Sequence, residues 1–479
     1  MMITVDFEKR GSVGLCEFLT LSLKQQIFDG NLAAGKKLPS KRTLAIHLGV
    51  SVITVQNAYN QLIAEGYIYS IEKKGFFVAE LPSAFSEQRQ GHRHKPLCKQ
   101  IRRVPTTKPI EYFADFSSNS TLSEKFPFNT WARVMRQVLS TNDQKLLHRQ
   151  NIQGVLELRQ AIAKYLLEFR DMDVSEEQIV VAAGTESLYS MLVQFLGRHK
   201  LYAVENPGYK KVAKVIEQNG ATHTPIPVNT DGIDLKELQK SKAQVVHLSP
   251  THHFPTGVVM PIGKRLQLLN WAKDPRYGER YIVEDDYDSE FRFNGKPLPT
   301  LQSKDTFGRV IYLNTFTKTL APSFRISYMV LPQNLVEPFR QFFSMACCQV
   351  SAFEQYTLAS FIEQGFYGKH ISRMKNYYRT LRNNLIKAIL KSRFKNATTI
   401  HEEEAGLHFL LRVQTTKTPE ELEERLQEQK IRLPQLRNFY YSENSHFLAP
   451  SGESIFVVNY SGIKKEQINQ IIKRLEKVF

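Results

Sequence analysis

The sequence predicts a multidomain chain of two unlike folds: a small three-helix unit closed by a β-hairpin, then a large α/β unit with a mostly parallel sheet and a smaller α+β part at its end. Three observations predict it. The 479 residues exceed one ordinary core, since domains usually take roughly 100 to 200 residues. Apolar residues recur at helical spacing through the first sixty or so positions, and from about residue 117 onward helical stretches alternate with short β-rich runs. At 42% hydrophobic and 23% charged, the composition is that of a soluble globular protein and excludes a disordered one.

In the first unit, Leu19, Leu23 and Ile27, then Leu44, Ala45 and Leu48, then Val52, Val55, Tyr59 and Leu62 predict three short helices. Gly30 to Pro39 and the tight turn Gly49-Val-Ser51 separate them, and the Ser51 hydroxyl is placed to cap the third helix. A turn that short between helices is helix-turn-helix spacing. After Gly66, the run Tyr67–Ile71, the turn Glu72–Gly75 and the run Phe76–Val78 predict a hairpin, the wing of a winged helix-turn-helix. Residues 82–112 are polar, basic and Pro-bearing with no period, which predicts a flexible linker between the reader (1–81) and the rest (113–479).

In the large unit, Gln178–Ala182, Leu201–Val204, Gln244–Leu248, Tyr281–Glu284, Arg309–Leu313 and Ser327–Leu331 are near-continuous apolar runs, as in a parallel sheet covered on both faces. From about residue 370, a helix and the runs Gly406–Arg412 and Ser454–Asn459 predict the smaller α+β part. Four cysteines show no metal-binding or disulfide-framework spacing, and no apolar run approaches the roughly 18 to 20 residues of a membrane span. The expected setting is a reducing cytoplasm, with no membrane partner and no metal.

The net charge of +17 favours a polyanionic partner without identifying one. Its placement is more informative: residues 1 to 80 hold nine Lys and Arg against seven Asp and Glu, whereas residues 81 to 110 hold seven against one. The segments Leu38–Ala45, Leu48–Ser51, Thr54-Val55, Ala58-Tyr59 and Leu62–Tyr67 closely resemble the winged helix-turn-helix of the GntR regulators. The resemblance implies double-stranded DNA as a partner, with the helix from about Val52 to Ala64 in the major groove. Arg42, Ser51, Thr54 and Gln56 are the candidate contacts, and Lys73, Lys74 and Gly75 at the wing approach phosphates or the minor groove. The family usually has Arg directly after the capping serine, and here that position is Val52.

Glu284-Asp-Asp-Tyr-Asp288 and, about thirty residues later, Asn314–Arg325 carry a second chemistry. Pyridoxal phosphate needs a lysine to bind covalently, an acid for the pyridine nitrogen and donors for the phosphate. In this order along the chain the motifs resemble those of fold-type I aminotransferases over about residues 115 to 479. The resemblance implies Lys318 as the Schiff-base and catalytic lysine, and Asp285 as the pyridinium partner. Tyr287, two residues further along the same strand, faces the same way as Asp285 and donates to the ring's phenolate oxygen. Gly184, Thr185, Thr315, Thr317 and Arg325 hold the phosphate, and Tyr209 stacks on the ring. His252 or His253 lies on the phenolate side, in a segment that departs from the family's Asn-Pro-Thr-Gly.

A GntR reader followed by an aminotransferase-like domain is the arrangement of the MocR subfamily, and the chain is similar to its GABA-responsive member from end to end. This implies a head-to-tail homodimer and a transcription regulator that senses an amino acid or related amine through external aldimine formation. The effector carboxylate falls to Lys211 and Arg437, where that member has two arginines. Lysine replaces a planar bidentate fork with a point charge. The alternative is an active aminotransferase with an accessory DNA-binding domain, and weak transaminase activity is compatible with either reading.

Overall fold

The structure is a computed structural model that describes residues 3–81, 111–117, 123–141, 143–401, 406–441 and 452–479. The chain divides into two units, Met1–Pro109 and Ile110–Phe479. The linker expected over 82–112 lies outside the described residues except for its last two positions.

In the first unit, a short 3-10 turn (Phe7–Arg10) precedes α1 (Leu15–Phe28), α2 (Lys41–Leu48) and α3 (Val52–Ala64), and the hairpin β1 (Ile68–Ile71) and β2 (Gly75–Val78) follows. Leu19, Leu23, Leu44, Val55, Ala58, Tyr59 and Leu62 are buried together, as their helical spacing predicts. Gly49 takes the left-handed conformation (φ 66°) that ends α2 within one residue, and Ser51 Oγ accepts from the Thr54 amide at 3.1 Å to start α3. The Tyr59 hydroxyl donates to the Pro39 carbonyl at 3.0 Å and ties α3 to the segment before α2.

The second unit opens with β3 (Ala114–Asp115), α4 (Phe128–Thr141), α5 (Asp143–Leu146) and α6 (Leu156–Arg170). The order continues β4 (Ile179–Ala182), α7 (Thr185–Leu196), β5 (Leu201–Asn206), α8 (Lys210–Gln218), β6 (Thr222–Asn229), β7 (Gly232–Ile233), α9 (Leu235–Lys240), β8 (Val245–Leu248), α10 (Ile262–Lys273), β9 (Tyr281–Asp285), β10 (Val310–Thr315), β11 (Ser327–Val330), α11 (Gln333–Phe342) and α12 (Ala352–Glu363). The C-terminal part is α13 (Phe366–Ile389), β12 (Thr398–His401), β13 (His408–Gln414), α14 (Pro419–Glu428), β14 (Ile431–Arg432), β15 (Glu453–Asn459) and α15 (Ile468–Leu475).

Eight strands form one sheet in the order β4-β11-β10-β9-β8-β5-β6-β7. β11 runs antiparallel to both neighbours and β7 antiparallel to β6, while the other pairs are parallel. Alternate residues serve opposite faces. Val180, Val204, Val283 and Leu313 join the layer of α7, α8 and α11. Val181, Tyr312 and Tyr328 join that of α4, α6 and α12, and Ala203, Val246 and Ile282 that of α10.

The sequence reading missed β6 because Pro225 and Pro227 interrupt it. Proline is tolerated where its missing amide faces an open edge, and β7 pairs only with Val228 and Asn229. It also missed that the small α+β part reaches back to the start of the unit. Ala114 and Phe116 lie in the core formed by β12, β13, β15 and α13 to α15, and β3 pairs with β14.

At the carboxyl end of the sheet, Asp286 makes the most completely buried ion pair of the described residues, 2.7 Å from the Arg170 guanidinium with side-chain exposures of 0% and 1%. Its carboxylate also accepts from Thr251 Oγ1 (2.6 Å) and the Tyr312 hydroxyl (2.7 Å). Asp286→Ala would leave a buried guanidinium without its counter-charge. The expected cost is about 3–5 kcal/mol, read as a lowered urea midpoint of the large unit's transition.

Candidate functional site

Parallel strands direct their carboxyl ends, and the loops that follow, to one side of a sheet. Here the ends of β5, β8, β9 and β10 open into a cavity of about 410 Å³ lined by Glu205, His247, Ser249, Asp285, Thr315, Thr317, Lys318 and, beyond the strands, Thr185, Tyr209, Lys211, Phe254, Tyr287, Arg325 and Tyr441. The turn from β4 into α7 forms one wall. Its Gly184 has φ 90°, and a Cβ there would stand 2.5 Å from Arg325 Nη2, so glycine is required both for the backbone and for the guanidinium lying against it. The amides of the first turn of α7 have no helical partners and face the cavity side.

Lys318 is half-buried at the cavity wall, and desolvation pushes its amine down to about 8 even though Asp288 and Asp285 oppose the shift. Its Nζ stands 5.8 Å from the centre of the Tyr287 ring. Asp285 accepts from the Tyr189 hydroxyl at 2.9 Å and lies 3.5 Å from His247 Nε2, all through Oδ2. Its Oδ1 is buried without a hydrogen-bond partner among the described residues. An unpaired buried carboxylate oxygen is costly unless something else supplies a donor. Beneath Tyr287, whose hydroxyl is 3.2 Å from His252 Nδ1, His252 is itself held by Asp288 at 3.0 Å.

The other end of the cavity is an ion cluster. Glu186, on the first turn of α7, pairs with Lys211 on α8 and lies 3.7 Å from Arg325. The Lys211 ammonium, through its hydrogen bond, holds the Glu186 carboxyl below the usual range. Thr315 Oγ1 accepts from Ser327 Oγ at 2.7 Å and from the Thr317 amide at 3.1 Å, which fixes the turn that carries Lys318.

Residues 113–475 match the family model for aminotransferases class I and II, and residues 15–78 match that for bacterial regulatory proteins of the gntR family. Over 483 residues the chain is 34% identical to the uncharacterized HTH-type transcriptional regulator YdeL of Bacillus subtilis, covering 99% of both. Over 468 residues it is 31% identical to the probable rhizopine catabolism regulatory protein MocR of Rhizobium meliloti, covering 95% of this chain and 92% of that protein. The chain belongs to the MocR-type GntR regulators. Its large unit has the fold of the kynurenine aminotransferase of Pyrococcus horikoshii, solved in complex with PMP, with a TM-score of 0.66 at 22% identity over 78% of this chain and 91% of that one.

In this MocR-type regulator the structure brings Lys318, Asp285, Tyr287, Tyr209, Thr185, Thr315, Thr317, Arg325 and Lys211 to one cavity, with Gly184 directly behind Arg325. Two placements differ from the sequence expectation. β9 ends at Asp285, so Tyr287 sits on the turn beyond the strand and not further along it. Arg437 does not line the cavity: it stands on the 3-10 turn Leu436–Phe439 and pairs with Glu420 at 2.6 Å. Neither His252 nor His253 lines it, and burial pushes His253 down to about 3. Tyr189, His247 and Glu186 were missed. An acid two residues after the phosphate-turn glycine was the available signal for Glu186; Tyr189 and His247 carry no local one.

On the reader, Arg42, Gln56, Lys73 and Lys74 are exposed. Ser51 and Thr54 are engaged with each other, their hydroxyls 2.8 Å apart, so their polar atoms serve the cap of α3. Lys73 takes a positive φ of 59° at the tip of the hairpin, next to Gly75.

With its amine at about 8, Lys318 gains its neutral, nucleophilic form more than two pH units below an ordinary lysine, whose value is about 10.4. In pH-dependent labelling by an amine-reactive reagent with peptide mass readout, its rate should level off above pH 8 while those of exposed lysines are still rising. A Lys318 rate that climbs in parallel with them through pH 10 would contradict the burial argument.

Proposed function

We propose that the cavity holds pyridoxal phosphate on Lys318 and receives a small primary amine bearing a carboxylate, and that its occupancy resets how the reader engages DNA. The single observation that carries this reading is the depressed Lys318 amine in the same cavity as Asp285, one of whose carboxylate oxygens is buried without a hydrogen-bond partner among the described residues. When bound, the cofactor supplies an electrophilic carbon for primary amines and an electron sink. The residues fit it: Asp285 Oδ1 awaits a donor such as a protonated ring nitrogen, and Tyr189 and His247 hold that carboxylate in place. Arg325, the Gly184–Thr185 turn, Thr315 and Thr317 offer a phosphate both charge and backbone amides. Tyr287 and Tyr209 supply a hydroxyl and an aromatic face to the ring between them.

An effector carboxylate has Lys211 as its cation inside the cavity, where it competes with Glu186. Arg437 reaches it only by leaving Glu420. The segment that bears Arg437 also supplies the Phe439 carbonyl that accepts from the Gly208 amide (3.2 Å) and the Tyr441 that lines the cavity. Closure of the small part over the cavity therefore moves one element. With an effector amine in place Lys318 Nζ is a free amine, and Asp288 and Asp285 favour its protonation against the burial that lowers it.

Residues 1–81 are the reader, 82–112 the linker and 113–479 the sensor, with its small part over about 370–479. The large unit leaves Phe128 64%, Leu147 82% and Met345 84% exposed, an apolar surface that suits a second copy of the chain in a head-to-tail homodimer in the cytoplasm. On DNA, α3 enters the major groove, while Arg42, Lys73 and Lys74 face phosphates, with Gly75 allowing close approach of the hairpin.

The test is the visible absorbance of the purified protein and of Lys318→Ala after incubation with pyridoxal phosphate, before and after a panel of amines including GABA and alanine. A band near the cofactor's protein-bound wavelength that is lost in the variant, and that one amine perturbs while changing DNA binding, is the expected result. No band in either protein would sink the sensor reading. Sustained turnover with a keto-acid acceptor would favour a working aminotransferase. On the reader, Arg42→Ala should weaken binding about equally for all sequences and reduce the slope of log affinity against log salt by about 1.

A further inference from the structure

We infer that the reader selects A·T base pairs through an uncharged recognition face, in which Ile53 packs on thymine methyl groups and the amides of Gln56, Asn57 and Asn60 read adenine edges. The inference rests on the placement of α3 in the major groove.

Burial of Val55, Ala58, Tyr59 and Leu62 fixes which side of α3 faces the core. At 100° per residue the opposite stripe is Ile53, Asn57 and Asn60, spaced i, i+4, i+7, with Gln56 beside it, and all four are exposed. From Val52 to Ala64 the helix holds no Lys, Arg, Asp or Glu. The commonest reader of guanine is a bidentate Arg or Lys on O6 and N7, and α3 offers none. Where the family usually places an arginine stands Val52, itself 41% exposed. The cations of the reader all sit outside α3, among them Lys41 and Arg42 on α2 and Lys73 and Lys74 at the hairpin tip. The Ser51 and Thr54 hydroxyls are committed to the cap. On the outward stripe this leaves Ile53 and the carboxamides of Gln56, Asn57 and Asn60 for base edges, while Val52 stands beside it and Gln61 donates to Glu65.

Each has a distinct match. Ile53 is 70% exposed in the free reader, and leaving a large apolar side chain in water is unfavourable. The C5-methyl of thymine is the apolar group that base pairs present in the major groove. The N-terminal residues of a recognition helix are those that reach base edges, which puts Ile53 where that methyl would be met. A carboxamide that both donates and accepts matches adenine N6 and N7. Apolar and amide readers on one stripe therefore select the two bases of the same pair.

The experiment selects duplexes from a random-sequence library with the full-length protein, then replaces each thymine of the selected site in turn with deoxyuracil, which removes only the methyl. The expected site has A·T pairs at its contacted positions, and at least one replacement weakens binding about fourfold, the worth of one buried carbon group. Ile53→Ala should abolish that difference, and Asn57→Ala should relax the adenine preference about tenfold. Both residues are exposed, and circular dichroism checks that the variants fold. Contacted G·C pairs, or equal affinity for every thymine and deoxyuracil duplex, would overturn the inference. If Ile53→Ala, Asn57→Ala and Asn60→Ala all kept the wild-type affinity and selected the wild-type site, α3 would not be the reading helix, and the underlying placement would fall instead.

Discussion

Two consecutive carboxylates leave the carboxyl end of β9 on opposite sides of the sheet, and the large unit is organised around keeping both buried. Asp285 continues the alternation of Tyr281 and Val283 and faces α7, where Tyr189 and His247 take one of its oxygens. Asp286 faces α6 and is met by Arg170, Thr251 and Tyr312. A shift of one residue in β9 would exchange the two faces and part each acid from its present partners. The ion pair on the α6 side thus helps to pin the register that places Asp285 in the cavity wall. The cavity itself lies where the strand order reverses: from β5 the chain runs outward to β6, then returns to place β8 on the other side of β5. Crevices form at such points because successive loops diverge.

Within that crevice charge is arranged in two zones. Around Lys318 burial dominates and lowers the amine to about 8, so near physiological pH a larger fraction is neutral and nucleophilic than in an ordinary lysine. Around Arg325 and Lys211 the groups are half-exposed, with Glu186 between them. In the proposed reading, a zwitterionic ligand meets a site for its amine at the first zone and a cation for its carboxylate at the second. Because Glu186 already occupies that cation, binding exchanges one ion pair for another, and selectivity comes from geometry more than from net attraction.

Much of this was legible in the chain because the signals are local. The three reader helices follow from apolar spacing, Ser51 from its place before α3, and Lys318 and Arg325 from one continuous segment. Asp285 was legible for the same reason, one strand before them. The partners of Asp285 were not, since Tyr189 and His247 arrive from α7 and β8 and are brought there only by parallel pairing. Arg437 shows the opposite failure: a position that aligns by sequence is committed to Glu420 in this arrangement, a fact set by how α14 packs beside the turn. β6 escaped notice because proline normally argues against a strand, and only the short reach of β7 explains why it is allowed. The exposed stripe of α3 was half legible. Gln56 was among the candidate contacts, while Ile53 was not singled out, and only the burial of Val55 and Tyr59 places it on the outer face.

That stripe also separates affinity from selectivity in a way that bears on regulation. Phosphate contacts by cations on α2 and the hairpin supply binding that is sequence-independent and weakens with salt. The neutral face of α3 contributes little to that term and most of the discrimination. In the proposed dimer each head brings one such face, so the spacing of the two heads decides whether both read bases at once. A ligand that alters closure of the small part needs only to change that spacing. In the proposed reading this would keep phosphate contacts while removing base contacts of one head, converting a modest rearrangement into a large loss of specific binding.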